Sequence, residues 1–144
     1  MTRWIRLFAV ALLAVPMSAR AQGGLAQDPI VAYRVEVMKS LGTQAAALGA
    51  IMQKKVPFDQ NIALHAEAIS LGAREALKAF EPKQPGGASR PELWDHWADV
   101  SARFKALDAA AADIAKQAKA GPVDPKTLLA ALTCKSCHDL YRIR

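Results

Sequence analysis

Three stretches of this chain place their apolar residues at alternating steps of four and three, and that spacing admits one kind of element. It is the stripe of an α-helix that buries one side against a neighbour. The first stretch opens at Asp28-Pro29, an N-cap followed by proline at the first helical position, and runs to about Lys54 before Val56-Pro57 stops it. Its inward seam reads Arg34, Met38, Leu41, Ala45, Leu48 and Met52. The second starts at Asp59 with the seam Ile62, Ala66, Ile69, Ala73, Ala76 and Phe80, and ends in the proline- and glycine-rich run 81–87. The third opens with Ser89-Arg90-Pro91-Glu92, a capping-box pattern, and carries Leu93, Trp97, Val100, Phe104, Leu107, Ala111, Ile114 and Ala118 up to Gly121-Pro122. Asp124-Pro125 then begins a fourth helix that continues to the C-terminus. Short connections make consecutive helices neighbours, so the expected fold class is all-α, an antiparallel up-down four-helix bundle. No internal repeat of 20–50 residues and no low-complexity linker is visible, and one bundle accounts for the chain.

The N-terminus reads as an export signal. Arg3 and Arg6 precede the apolar run Leu7 to Val15, and Ala19-Arg20-Ala21 supplies a small-residue cleavage site after Ala21. The apolar run is shorter than the roughly 20 residues a helical span needs, so the expectation is a signal peptide over 1–21 and an exported, periplasmic domain over 22–144 with no membrane span. The formal charge of +6 falls to +3 without Arg3, Arg6 and Arg20. That mild excess, with no dense Lys/Arg block among aromatics, excludes a nucleic-acid partner.

The chemistry is concentrated in Cys134-Lys135-Ser136-Cys137-His138, which contains the only two cysteines of the chain. Two thiols spaced C-x-x-C can add to the two vinyl groups of one haem, and the adjacent histidine can supply an axial nitrogen to its iron. On a helix these residues are separated by three, one and four positions and share one side. The rival readings are a thiol-disulfide exchange site and half of a zinc site. The first needs an upstream strand pattern that the sequence lacks, and the second needs two more ligands, which His65 and His96 do not provide at zinc-like spacing. The expected cofactor is therefore one covalent haem c, with His138 as the proximal ligand.

The sixth position of the iron decides between functions. Met38, on the seam of the first helix, is the candidate distal ligand, although methionine on a helical seam is more often flexible core packing. His65 and His96 read as exposed histidines, and the tryptophans as core or haem-edge packing. Arg34, one turn before Met38, is either paired with a haem propionate or snorkelling at the bundle edge.

With these residues in place the chain resembles the class II c-type cytochromes, cytochrome c′ and its low-spin relatives of the cytochrome c-556 type. The resemblance rests on Tyr33-Arg34, Met38-Lys39, Leu48 to Ile51, Val56-Pro57-Phe58-Asp59, Ala79-Phe80, Arg90-Pro91-Glu92-Leu93-Trp94 and the run from Cys134 through Tyr141-Arg142. Attachment near the C-terminus is itself distinctive. The resemblance implies covalent haem on Cys134 and Cys137, His138 as fifth ligand, Arg34 near a propionate and Arg142 close to the proximal face. Met38 matches the distal position, where c-556-like members use methionine as a ligand and cytochromes c′ usually carry an apolar residue beside five-coordinate iron. Two positions depart from the pattern: Val35 and Ala88 stand where some members carry a glutamine and an acid near the propionates.

The expected function is a periplasmic monohaem electron carrier, not an enzyme, with His138 and Met38 as axial ligands and redox proteins as partners. The alternative is a five-coordinate cytochrome c′ that binds nitric oxide or carbon monoxide at an apolar distal pocket. No acid-base histidine falls on the first helix, which disfavours a peroxidase. Members of this family are often homodimers packed through their first two helices, and some low-spin members are monomers.

Overall fold

The computed structural model describes residues 28–143, without the side chain of Leu129. The signal peptide expected over 1–21 lies outside the described residues. Helix α1 spans Pro29–Met52, a 3-10 turn spans Asp59–Asn61, and α2 spans Ile62–Phe80. A single turn, α3, covers Glu92–Asp95. It is followed by α4 at Trp97–Ala120, α5 at Pro125–Ala131 and α6 at Cys134–Tyr141.

Side-chain contacts fix the helix directions. Tyr33 meets Glu75 while Gln44 meets His65, so α1 and α2 run antiparallel. Ser70 bonds Asp108 and Phe80 packs on Phe104, which sets α4 antiparallel to α2. Tyr141 meets Asp99 and Arg103 meets Ser136, so α6 runs antiparallel to α4. The expected up-down bundle forms, with α2 packed against both α1 and α4.

The second seam is buried at every expected position, Ile62 through Phe80. The first seam is broader than expected. Arg34 and Leu48 are buried, but Val31, Val37 and Ile51 are buried beside them, and Met38, Leu41, Ala45 and Met52 are half-buried. Asp28 caps α1 as expected, its Oδ1 accepting from the amide of Ile30 at 2.8 Å. The expected capping box of Ser89 and Glu92 does not form. Pro91 stands at the N-cap of α3 without a side-chain bond, and Ser89 instead bridges to Arg142. The third segment breaks at His96, and the fourth breaks at Leu132-Thr133.

The buried residues separate into two clusters. One gathers Leu48, Ile51, Ile62, Ala66, Ile69, Ala111, Ile114, Ala115 and Leu128 at the α1–α2 turn end of the bundle. The other lies at the opposite end. It holds Ala79, Phe80, Leu93, Trp94, Val100 and Tyr141, with Met38, Trp97, Phe104 and Cys137 packed against it. The loop after α2 folds over this second end. Gly86 lies there at φ +140°, where a Cβ would stand 3.0 Å from Cγ2 of Val31, so the backbone can approach α1 only without a side chain.

Candidate functional site

The break at Leu132-Thr133 frees α6 to lie along α4 with its own orientation, and α6 opens on Cys134. Both cysteines are half-buried. Burial pushes both thiols above their ordinary range, and Arg103 partly offsets this at Cys137. Exchange-active cysteines show the reverse, a depressed thiol in an electropositive setting. The thiol-disulfide reading is also without its α/β frame, since only isolated bridges occur among the described residues. No three His, Cys, Asp or Glu side chains are grouped as a metal cage among the described residues, and a structural zinc site takes four ligands. Haem does not need such a cage, because the porphyrin supplies four nitrogens.

His138 follows Cys137 at the surface of α6. Partial burial of its ring, and then the nearby Arg142, hold its imidazole below the ordinary value, with Asp139 opposing. Neutral imidazole is the form that binds a metal.

Arg34 answers the question its sequence position raised. It is 2% exposed, so it is not an arginine snorkelling at the edge of the bundle. Its guanidinium lies 5.1 Å from the ring centroids of both Phe80 and Trp94. Trp94 is locked in turn, donating from Nε1 to the carbonyl of Phe80 at 2.9 Å. One terminal nitrogen, Nη2, donates to the Gln84 carbonyl. The other two, Nε and Nη1, are buried with no hydrogen-bond partner among the described residues. Burial lowers this guanidinium, and Asp28 only partly restores it. A buried cation with two spare donors is costly unless an anion meets it. A haem carboxylate is such an anion, and two thiols, a histidine and an apolar cluster stand at the same end of the bundle. The residues present fit the group.

Met38 is half-buried on the cluster that also receives Cys137. The first helix therefore brings the expected distal candidate to the end of the bundle that carries the attachment motif. The expected tryptophan roles are partly met, with Trp94 buried and Trp97 half-buried at this end. His96 is exposed as expected, its ring 6.3 Å from that of Tyr141. His65 differs from its expected exposure. It is partly buried, with Nδ1 at 2.8 Å from Oε1 of Gln44, and it ties α2 to α1 near the other end.

Sequence reasoning did not find the polar strap that holds α6. Tyr141 donates to Asp99 at 2.7 Å, Arg103 Nε donates to the same Oδ2 at 2.7 Å, and Arg103 Nη1 donates to Ser136 Oγ at 3.2 Å. The four-residue spacing of Asp99 and Arg103 was the available signal. The chain beyond α6 is held as well, by Arg90 N–H to the Tyr141 carbonyl at 3.0 Å and Ile143 N–H to the Ala88 carbonyl at 2.8 Å.

The family model described as Cytochrome C′ matches residues 29–142. A cytochrome c′ of Pararhodospirillum photometricum is 36% identical over 123 residues, covering 80% of this chain and 97% of the relative. A cytochrome c-556 of Agrobacterium tumefaciens is 30% identical over 115 residues, covering 77% and 92%. The solved cytochrome c′ of Alcaligenes xylosoxidans superposes with a TM-score of 0.68 at 26% identity, covering 80% of this chain and 94% of its own. Another solved form of that protein, a ferrous variant, has nitric oxide bound. A bundle of matching architecture, an attachment motif on its last helix and a match spanning nearly every described residue converge on one conclusion: the chain belongs to the cytochrome c′ family, c-type cytochromes that carry one covalent haem c.

Proposed function

We propose that this chain is a periplasmic monohaem cytochrome in which Cys134 and Cys137 carry the haem, His138 is the fixed axial ligand, and the opposite face, bounded by Met38, binds nitric oxide or carbon monoxide. When bound, the haem supplies an iron that changes by one electron and accepts a further axial ligand. The two thioethers hold it against loss outside the cell. Arg34, its guanidinium held against Phe80 and Trp94, would hold a propionate through its unpartnered Nε and Nη1.

The observation that carries the gas reading is the polarity of the cluster beside Met38. The hydrogen-bond donors of its buried members are spent, Trp94 Nε1 on the Phe80 carbonyl and the Tyr141 hydroxyl on Asp99. The buried donors left at this end are Nε and Nη1 of Arg34, which are assigned to a propionate, and the remaining buried surface of the cluster is alkyl and aryl. Such a lining stabilises no ligand that depends on a donated hydrogen bond, and it suits small uncharged gases. The nitric oxide complex of the Alcaligenes relative supports the same reading.

Electron transfer with Met38 on the iron is the second reading. It is favoured by the position of Met38 on the same cluster as Cys137 and by the c-556 relative. In either reading residues 1–21 are the export signal and the mature protein is residues 22–144, which the intact mass of the exported protein tests.

Optical and electron paramagnetic resonance spectra of the holoprotein, ferric and ferrous, with and without carbon monoxide, separate the two readings. Gas binding predicts high-spin ferric iron, direct uptake of carbon monoxide by the ferrous form, and faster uptake in Met38→Ala with the spin state unchanged. Low-spin ferric iron that becomes high-spin in Met38→Ala would replace gas binding with electron transfer.

A further inference from the structure

The strap on α6 is a continuous chain of hydrogen bonds. Ser136, between the two cysteines, donates to the Thr133 carbonyl at 2.9 Å and accepts from Arg103 Nη1 at 3.2 Å. Arg103 Nε bonds Asp99 Oδ2 at 2.7 Å, and the Tyr141 hydroxyl bonds that oxygen at 2.7 Å. Thr133 is the N-cap of α6 and Tyr141 its last residue. One turn of α4, from Asp99 to Arg103, therefore holds both ends of the attachment helix.

This chain of bonds carries two full charges of opposite sign, and both are bonded to the attachment helix. Arg103 reaches α6 at Ser136, beside Cys137, and Asp99 reaches it at Tyr141, one turn beyond His138. The side chains of Arg103 and Asp99 are 31% and 45% exposed, so each is screened by solvent, yet Arg103 touches Ser136, one of the two residues between the cysteines. A lone cation beside the attachment helix would favour the ferrous state, which has one positive charge fewer, and a lone anion would favour the ferric state. Held together, the two nearly cancel.

We infer that Asp99 and Arg103 strap the haem-attachment helix to α4 as a compensated charge pair, so that neither charge alone biases the reduction potential of the haem. The pair fixes where Cys134, Cys137 and His138 stand relative to α4, and its neutrality leaves the potential to the axial ligands and the apolar cluster. This rests on the haem being carried by Cys134 and Cys137.

The test is the midpoint potential of purified holoprotein, measured by spectroelectrochemical titration at low and high salt for Asp99→Asn, Arg103→Gln, the double variant and Tyr141→Phe. Haem that stays with the polypeptide after denaturation first establishes covalent attachment. Haem that is lost refutes the attachment and the inference with it. The expected result is a higher potential in Asp99→Asn, a lower one in Arg103→Gln, and a value near wild type in the double variant, with both shifts shrinking at high salt. Tyr141→Phe, which breaks the strap without changing charge, stays near wild type. Single variants that shift in the same direction or not at all, or a Tyr141→Phe shift as large as theirs, overturn the inference.

Discussion

Replacing Arg34 by methionine in the holoprotein has an outcome whose sign depends on what faces the guanidinium. Methionine keeps an unbranched stem between Phe80 and Trp94, so the packing changes little, and the difference lies in the charge. If a propionate meets Nε and Nη1, the substitution strands a carboxylate. Breaking a buried pair costs about 3–5 kcal/mol, and a propionate able to turn toward water brings this to about 2–4 kcal/mol. Loss of the two ring contacts adds roughly 0.5–1 kcal/mol each. The sum is about 3–6 kcal/mol, and with a urea dependence of about 2 kcal/mol per molar for a domain of this size the unfolding midpoint should fall by about 1.5–3 M. If no anion is present, the substitution instead removes two buried donors that lack partners in the described structure. Each such donor carries a penalty of about 1–3 kcal/mol, and its relief would offset the lost contacts. The assay is urea unfolding of ferric holoprotein, followed by far-ultraviolet circular dichroism and by Soret absorbance. Arg34→Lys keeps the charge without the fork and should lie between wild type and Arg34→Met. An Arg34→Met protein as stable as wild type, or more so, would refute the propionate role.

Two further outcomes follow from the division of the core and from the strap. Leu48→Ala removes a side chain that is 0% exposed in the cluster remote from the attachment motif. It should cost about 2–5 kcal/mol in urea unfolding while leaving the visible spectrum unchanged. Asp99 is held below the ordinary carboxylate range, first by its bond from Arg103 and then by that from Tyr141. Its folded-state value is thus depressed, so its contribution to stability is complete above the ordinary carboxylate range and is lost as pH falls through the lowered native value. Acid titration of unfolding free energy for wild type and Asp99→Asn should show a steeper acid limb in wild type.

Seam spacing was a good guide where a helix packs on two neighbours. Helix α2 lies between α1 and α4, and its six expected positions are all buried. Helix α1 buries a wider face, because the loop after α2 also covers Val31 at Gly86, and a seam drawn for one neighbour misses that contact. Ser89 and Glu92 had the right spacing for a capping box, but Ser89 was taken by the chain end at Arg142. The two helix breaks carry no proline or glycine at His96 or Leu132-Thr133, so no local signal marked them.

The candidate site divides in the same way. Cys134, Cys137 and His138 lie within five residues, and their spacing alone suggests haem attachment, as the heptad-like pattern suggests the bundle. Local sequence is enough there because the groups that act together are held within one or two helical turns. That Arg34 is enclosed by Phe80 and Trp94 with spare donors, that Met38 and Cys137 meet on one cluster, and that Asp99 and Arg103 grip both ends of the attachment helix were decided only in the folded chain. These partners lie 33 or more residues apart along the sequence, and their meeting depends on helix directions, the breaks at His96 and Leu132-Thr133, and the loop over α1. Periodicity fixes which face of a helix turns inward, but the neighbour it meets there is set by the packing of the whole bundle.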